Sequence, residues 1–158
     1  MYQGPDMSTV SMPESMGRRL GYVLKRAQHA LRTRMDDALR PLGLTSPQYS
    51  VLAAVELEPG LSNARLARAT FVTPQTMQGT LSNLERDGLL VREADPEHGR
   101  ILRSLLTPQG KAVLARAHRL VEEVEHVMTS AVGTTEAARM AGLLARCADA
   151  LDASDDPG

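Results

Sequence analysis

A mainly α-helical chain carrying one small β-hairpin is what these 158 residues predict. Apolar residues recur at spacings of three and four along most of the length, the period of an amphipathic helix. Several breaks between those stretches hold Ser or Thr just ahead of Pro, a pairing that caps a helix and fills its first turn. The period changes only once, where two short strand-like runs flank the polar loop Asp95-Pro96-Glu97-His98-Gly99-Arg100.

Residues 1–13, with Gly4, Pro5 and Pro13 and no period, read as a flexible N-terminal arm. Over 14–40, Leu20, Leu24, Ala27, Leu31, Met35 and Ala38 make one stripe, so a single long helix is expected, stopped by Pro41 and Gly43. At ~1.5 Å per residue that helix exceeds what a small globule needs and reaches toward a partner. Thr45-Ser46-Pro47-Gln48 opens the next helix, with Thr45 as cap, Pro47 in the first turn and Gln48 completing a capping box. It turns Val51, Leu52 and Val55 inward and stops at Glu58-Pro59-Gly60. Ser62 caps a short helix holding Leu66 and Ala67. A turn follows at Thr70-Phe71-Val72, and Thr73-Pro74 opens a helix that runs to Gly88. Beyond the hairpin, Thr107-Pro108 opens a helix carrying Val113, Leu114, Ala117, Val121, Val124 and Met128. Thr135 opens a last one with Met140, Leu144, Cys147 and Leu151, and 153–158 reads as a disordered tail.

Composition narrows the function. Apolar residues at 42% and charged ones at 23% fit a globular protein. Aromatics at 3% and no Trp argue against base-stacking platforms, sugar grooves and aromatic cages. No apolar run approaches the roughly 18–20 residues of a membrane span, and the first fifteen residues lack a signal-peptide core; the expectation is a cytoplasmic protein with no membrane contact. A lone Cys147 excludes an internal disulfide and Cys-built zinc sites. Phosphate-binding loops, dinucleotide fingerprints, His-Glu-x-x-His and nucleophile elbows are all missing, so neither an enzyme nor a cofactor is expected. Charge is polarised: residues 16–119 hold sixteen basic and nine acidic side chains, residues 120–158 two and eight. A basic body with an acidic end points to a polyanionic partner.

Two short helices joined by a tight turn make a helix-turn-helix. On a wheel of ~100° per residue, Met77, Leu81 and Leu84 share one side of the second helix. Gln75, Gly79, Ser82 and Arg86 share the other, flanked by Thr76, Gln78 and Asn83. Solvated helix faces normally carry Glu and Lys, whereas amide, hydroxyl and guanidinium groups read base edges in the major groove. Gly79 costs the helix roughly 1 kcal/mol against Ala and lets another surface approach the backbone. A hairpin attached directly after such a helix is a wing, and His98 and Arg100 at its tip suit the negative minor groove.

These residues resemble the MarR (multiple antibiotic resistance regulator) family of bacterial transcription factors over residues 17–151. Leu44-Thr45-x-x-Gln48-Tyr49-x-x-Leu52 is similar to the start of the family's second helix. Leu61-Ser62-x-x-x-Leu66-Ala67, Val72-Thr73-x-x-x-Met77 and Leu81-x-x-Leu84-x-x-x-Gly88-Leu89-Leu90 resemble its helix-turn-helix. Asp95-Pro96-x-x-x-Arg100 and Leu106-Thr107-x-x-Gly110 resemble its wing and the cap of its fifth helix. Three positions depart from the pattern: Arg65 stands where an acid usually completes the cap of Ser62, His98 where Asp is frequent, and Gly99 where Arg is frequent.

The resemblance implies a winged helix-turn-helix region at 44–107 between dimerisation helices at 14–43 and 108–152. It implies a homodimer whose terminal helices interleave, and the apolar three-and-four spacings at both chain ends support that independently. Such a dimer presents two recognition helices to an inverted repeat in double-stranded DNA, with half-sites about one turn or ~34 Å apart. Ser62, Asn63 and the capping Thr73 would hold phosphates, while Gln75, Thr76, Gln78 and Arg86 would read bases around Gly79, Ser82 and Asn83. The family also implies repression relieved by a small aromatic or phenolic acid bound between the DNA-binding lobe and the dimerisation helices. Tyr22, Arg26 and His29, opposite the apolar stripe of the first helix, together with Tyr49, are the candidate residues for it.

Other features read more plainly. Cys147 falls on an apolar stripe as a buried packing thiol, and His118, Glu122 and His126 form an exposed charged face rather than a metal site. From another functional class, a winged-helix protein-docking module stays open, and insensitivity to salt would mark it.

Overall fold

The computed structural model describes residues 17–153, so the predicted arm and all of the predicted tail except Ala153 lie outside the described residues. Helix α1 spans Leu20–Leu39. It starts later than the predicted residue 14 because Arg19 is extended (φ −67°, ψ 131°), and none of residues 17–19 adds an apolar side chain to the stripe that begins at Leu20. A 3₁₀ turn at Arg40–Leu42 ends on Gly43 at φ 70°, a left-handed position that Gly fills without strain. Helix α2, Ser46–Leu57, begins with both halves of the Thr45/Gln48 capping box in place. Helices α3 (Asn63–Ala69) and α4 (Pro74–Arg86) follow, then strands β1 (Leu90–Ala94) and β2 (Leu102–Leu106). Helices α5 (Pro108–Val132) and α6 (Thr134–Asp152) complete the chain, with Gly133 between them at φ 87°.

The strands pair antiparallel, with Leu90 opposite Leu106 and Ala94 opposite Leu102. Gly60 N–H donates to the Ser104 carbonyl at 2.9 Å and Ser104 N–H to the Leu61 carbonyl at 3.1 Å. Residues 60–61 thus cover the free edge of β2, which would otherwise invite pairing with another chain.

Leu52, Leu66, Leu81, Leu84 and Leu114 are fully buried in one core, closed at its margins by Leu39 of α1 and Ala117 of α5. Each such leucine contributes roughly 1.5–3 kcal/mol by leaving water. The buried core therefore stops at Leu39 on one side and Ala117 on the other. Outside it the long helices keep their apolar stripes in solvent: Leu20 is 65% exposed, Val127 62% and Leu151 71%, and α6 has no buried residue. Among the described residues no helix is long and apolar enough to cross a membrane.

One junction joins the end of α4 to the start of α5. Thr107 Oγ1 donates to the Gly88 carbonyl at 2.6 Å and accepts from Gly110 N–H at 2.9 Å, while Thr107 N–H donates to the Leu89 carbonyl at 3.2 Å. A Cβ on Gly110 would lie 1.9 Å from the Leu89 carbonyl oxygen, so only Gly permits this approach.

Candidate nucleic-acid interface

Helix α4 is anchored by one face and leaves the other free. Thr73 caps it by accepting from Thr76 N–H at 3.2 Å, and Met77, Leu81 and Leu84 sink into the core. Gln75, Thr76, Gln78, Gly79, Ser82, Asn83 and Arg86 are all exposed, as the wheel predicts. A Cβ on Gly79 would meet nothing within 4 Å. Among the described residues the side chains of Gln75, Ser82 and Asn83 have no hydrogen-bond partner, which leaves their donors and acceptors open to a ligand. The other polar groups have local partners: Thr76 Oγ1 accepts from Thr73 at 3.0 Å, Arg86 Nε donates to Asp87 at 3.3 Å, and Gln78 Oε1 accepts from Arg92 at 3.1 Å.

Helix α3 holds α4 in place. Ser62 Oγ caps α3 by accepting from Arg65 N–H at 3.4 Å, and Asn63 Nδ2 donates to the Pro74 carbonyl at 3.2 Å. Asn63, expected to face a phosphate, thus spends its amide on the first residue of α4. Arg65, in the position of a missing capping acid, pairs with Glu58 at 2.7 Å and ties α3 to the end of α2.

The wing tip is built around Asp95. Its Oδ1 accepts from Glu97 N–H at 2.8 Å and His98 N–H at 3.0 Å, an Asx-type turn. Those two backbone bonds hold its carboxyl below the ordinary value, with a smaller contribution from Arg103, whose Nε lies 3.9 Å away. His98 and Arg100 project from the tip, exposed, and their side chains make no hydrogen bond among the described residues. Arg100 at the tip and the open polar face of α4 are exposed donors and acceptors of the kind a nucleic-acid duplex meets.

A cleft of about 550 Å³ separates α1 from this lobe. Leu31, Met35 and Met77 supply apolar wall, while Arg32, Ser50 and Thr80 supply polar groups. Asp36 Oδ1 accepts from both Ser46 N–H (2.6 Å) and Ser46 Oγ–H (2.9 Å), closing one end of the cleft. Phe71 stands at the rim, 96% exposed and at φ 58°, a conformation rare for a bulky residue.

Comparison with known proteins decides the family. A MarR-family model matches residues 42–101. The helix-turn-helix transcriptional repressor Rv2887 of Mycobacterium tuberculosis is 42% identical over 106 residues, covering 67% of this chain and 76% of the relative. The chain belongs to the MarR family. Among solved structures it is similar to the transcriptional repressor CouR bound to a 23-mer DNA duplex, at TM-score 0.82 and 32% identity, over 89% of this chain and 99% of that one. It also matches the Rv2887 MarR protein of Mycobacterium tuberculosis in complex with salicylic acid, at TM-score 0.67 and 36% identity, over 82% and 96% of the two chains.

Within this MarR chain the four residues expected to hold an effector are not brought together on that cleft. Tyr22, Arg26 and His29 do not line the cleft; they lie about 130° round α1 from Gln28, Leu31, Arg32 and Met35 at ~100° per residue. The cleft opens on the apolar stripe itself, with Gln28 and Arg32 at its borders, and not on the polar stripe opposite. Tyr49 is also outside it. Its hydroxyl meets His118 Nδ1 at 3.0 Å, the rings cross edge to face at 5.6 Å, and His118 Nε2 meets Glu56 at 2.8 Å. Burial, then the charges of Glu122, Glu56 and Glu125, raise the Tyr49 hydroxyl above its ordinary value. His118 is thus drawn toward α2 and away from Glu122 and His126; His126 turns to Ser130 at 3.3 Å.

Within the single chain Cys147 is exposed and not buried as expected: α6 touches its own chain along α5, and the face carrying Cys147 opens with Leu24 and Leu144 onto a groove that this chain leaves uncovered. Arg92, Asp36, Asp95 and Gly110 were not marked by periodicity as organisers of the site. For Arg92 the sequence does hold one signal, a cation directly after the apolar run Leu89-Leu90-Val91, where burial demands an acidic partner.

Proposed function

We propose that this protein is a homodimeric transcriptional repressor that binds an inverted-repeat operator and leaves it when a small aromatic acid enters the cleft. The observation that carries the proposal is the exposed face of α4. Its open amide and hydroxyl groups lie around an uncrowded Gly79, and the wing that follows carries the exposed Arg100. In this reading residues 44–107 are the DNA-binding lobe. Gln75, Ser82, Asn83 and Arg86 read bases with Thr76 and Gln78, while Thr73, Ser62 and Arg100 hold the backbone.

The exposed stripes of α1, α5 and α6 supply the dimer contact, since isolated apolar faces of this length are stable in water only against a second surface. The solved structure of a relative on a DNA duplex supports the DNA assignment. The salicylic acid complex of another supports the ligand class. In this chain Arg32, whose Nε lies 3.9 Å from Asp36 Oδ2, is the cation at the cleft that a ligand carboxylate would share, and Leu31, Met35 and Met77 would flank a ring.

Footprinting on the DNA upstream of its own gene tests the proposal. Two protected half-sites about one helical turn apart, uncovered by salicylate, are expected; Arg32→Ala should keep the footprint and resist the ligand. Protection that shows no paired half-sites contradicts the proposal.

A further inference from the structure

We propose that Arg92 is a positioning residue for base recognition: it turns Gln78 into a donor-only reader, which selects guanine or thymine over adenine at the base Gln78 meets. The inference rests on α4 being the base-reading helix, as proposed above. Arg92 is the third residue of β1, and its side chain is only 14% exposed. Its Nε and Nη2 donate to Glu85 Oε2 at 3.1 and 2.7 Å, and its Nη1 donates to Gln78 Oε1 at 3.1 Å. Glu85 lies seven residues after Gln78, two turns along the same face of α4. The strand thus reaches two points of the helix through one side chain.

The chemistry leaves little freedom. A guanidinium has donors and no acceptor, so the amide atom facing it is the carbonyl oxygen. The planar fork is oriented by its two bonds to Glu85, and Nη1 then has a fixed direction toward Gln78. Oxygen and nitrogen diverge from the same amide carbon, so turning the oxygen toward β1 turns the NH₂ group to the exposed side of α4. A free glutamine reads adenine by donating to N7 while accepting from the N6 amino group. Here the accepting half is committed to Arg92. Adenine keeps one acceptor, N7, but sets its N6 amino group against the second donor of the NH₂, whereas guanine offers two acceptors, O6 and N7, and thymine offers O4 with no opposing donor beside its methyl group.

The experiment is selection of a duplex library, randomised in both half-sites of an inverted repeat, by the full-length protein and by its Gln78→Ala and Arg92→Leu variants. The position whose preference disappears in Gln78→Ala is the one Gln78 reads. It should be guanine or thymine in the unsubstituted protein, over adenine by about tenfold, and Arg92→Leu should raise adenine there by a similar factor.

Adenine at that position in the unsubstituted protein overturns the proposal without need of a folded Arg92 variant. An Arg92→Leu protein with unchanged base preference and uniformly weaker binding also overturns it, and would make Arg92 a backbone contact only. Absence of any Gln78-dependent position overturns the assignment of Gln78 as a reader and the proposal with it. Absence of sequence selection altogether overturns the DNA-reading function of α4.

Discussion

Asp36 and Ser46 join the first long helix to the DNA-binding lobe through one carboxylate oxygen that accepts both the amide and the hydroxyl of Ser46. The acceptor sits at the N-terminus of α2, where unpaired N–H groups and the helix dipole favour a negative charge. Ser46 is buried, so removing the carboxylate leaves polar groups with poor access to water. Asp36→Ala should cost about 1–3 kcal/mol and lower the Tm at fixed protein concentration by about 3 °C or more per kcal/mol. An unchanged melting temperature would show that α1 and α2 are held by their apolar contacts alone.

Two glycines should respond to alanine in opposite ways. At Gly110 the new methyl group would meet the Leu89 carbonyl at 1.9 Å, so Gly110→Ala should destabilise by about 1–3 kcal/mol and disturb the exit of α4. At Gly79 nothing lies within 4 Å, so Gly79→Ala should stabilise the helix by up to about 1 kcal/mol. If the backbone at Gly79 meets DNA, the same variant binds the operator more weakly. Paired thermal melts and binding curves check both, and a Gly79→Ala protein that binds as tightly as its parent removes Gly79 from the interface.

Base readers and backbone holders should separate. Gln75→Ala and Arg86→Ala should each lose about 1–3 kcal/mol on the operator and much less on unrelated DNA, so that selectivity falls. Arg100→Ala should weaken both in parallel and flatten the salt dependence by about one unit. Titrations of each variant against operator and scrambled duplexes distinguish these patterns. Equal losses on both duplexes for Gln75 and Arg86 would place base reading elsewhere.

Acid should loosen the wing tip through Asp95. Its carboxyl lies below the ordinary value of 3.8 because it accepts the Glu97 and His98 amides. A depressed value in the folded state means the contribution is complete above the unfolded value and is lost as pH falls through the lower folded one. Between neutral pH and about pH 5 the turn should therefore be unaffected. NMR titration should show the Glu97 and His98 amide signals moving together in strong acid, at a midpoint under 3.8. A midpoint at or above that value would mean the turn does not depend on the carboxylate.

Much of this was legible in the sequence because it is local. Thr45 with Gln48, Thr73 with Pro74, and Thr107 with Gly110 mark helix starts through contacts no more than three residues apart, and all three caps are present. The burial of Met77, Leu81 and Leu84 follows from helical period alone. What stayed hidden depends on distant partners. Tyr49 turns to His118, sixty-nine positions away, and Gln78 to Arg92 on another element. The cleft opens on the apolar side of α1, so a polar stripe could not announce it. Cys147 shares an apolar stripe that its own chain leaves uncovered, and no period distinguishes a face buried internally from one awaiting a second copy.

The proposed function meets its sharpest trial in a fluorescence-anisotropy titration of the purified protein. The two duplexes would be the DNA upstream of its own gene and a scrambled control, each at two salt concentrations. The expected result is tighter binding to the upstream DNA, weakening steeply as salt rises because phosphate contacts release counterions. Equal, weak binding to both duplexes at low salt would contradict it, and the surface of α4 and the wing would then belong to a protein-docking module.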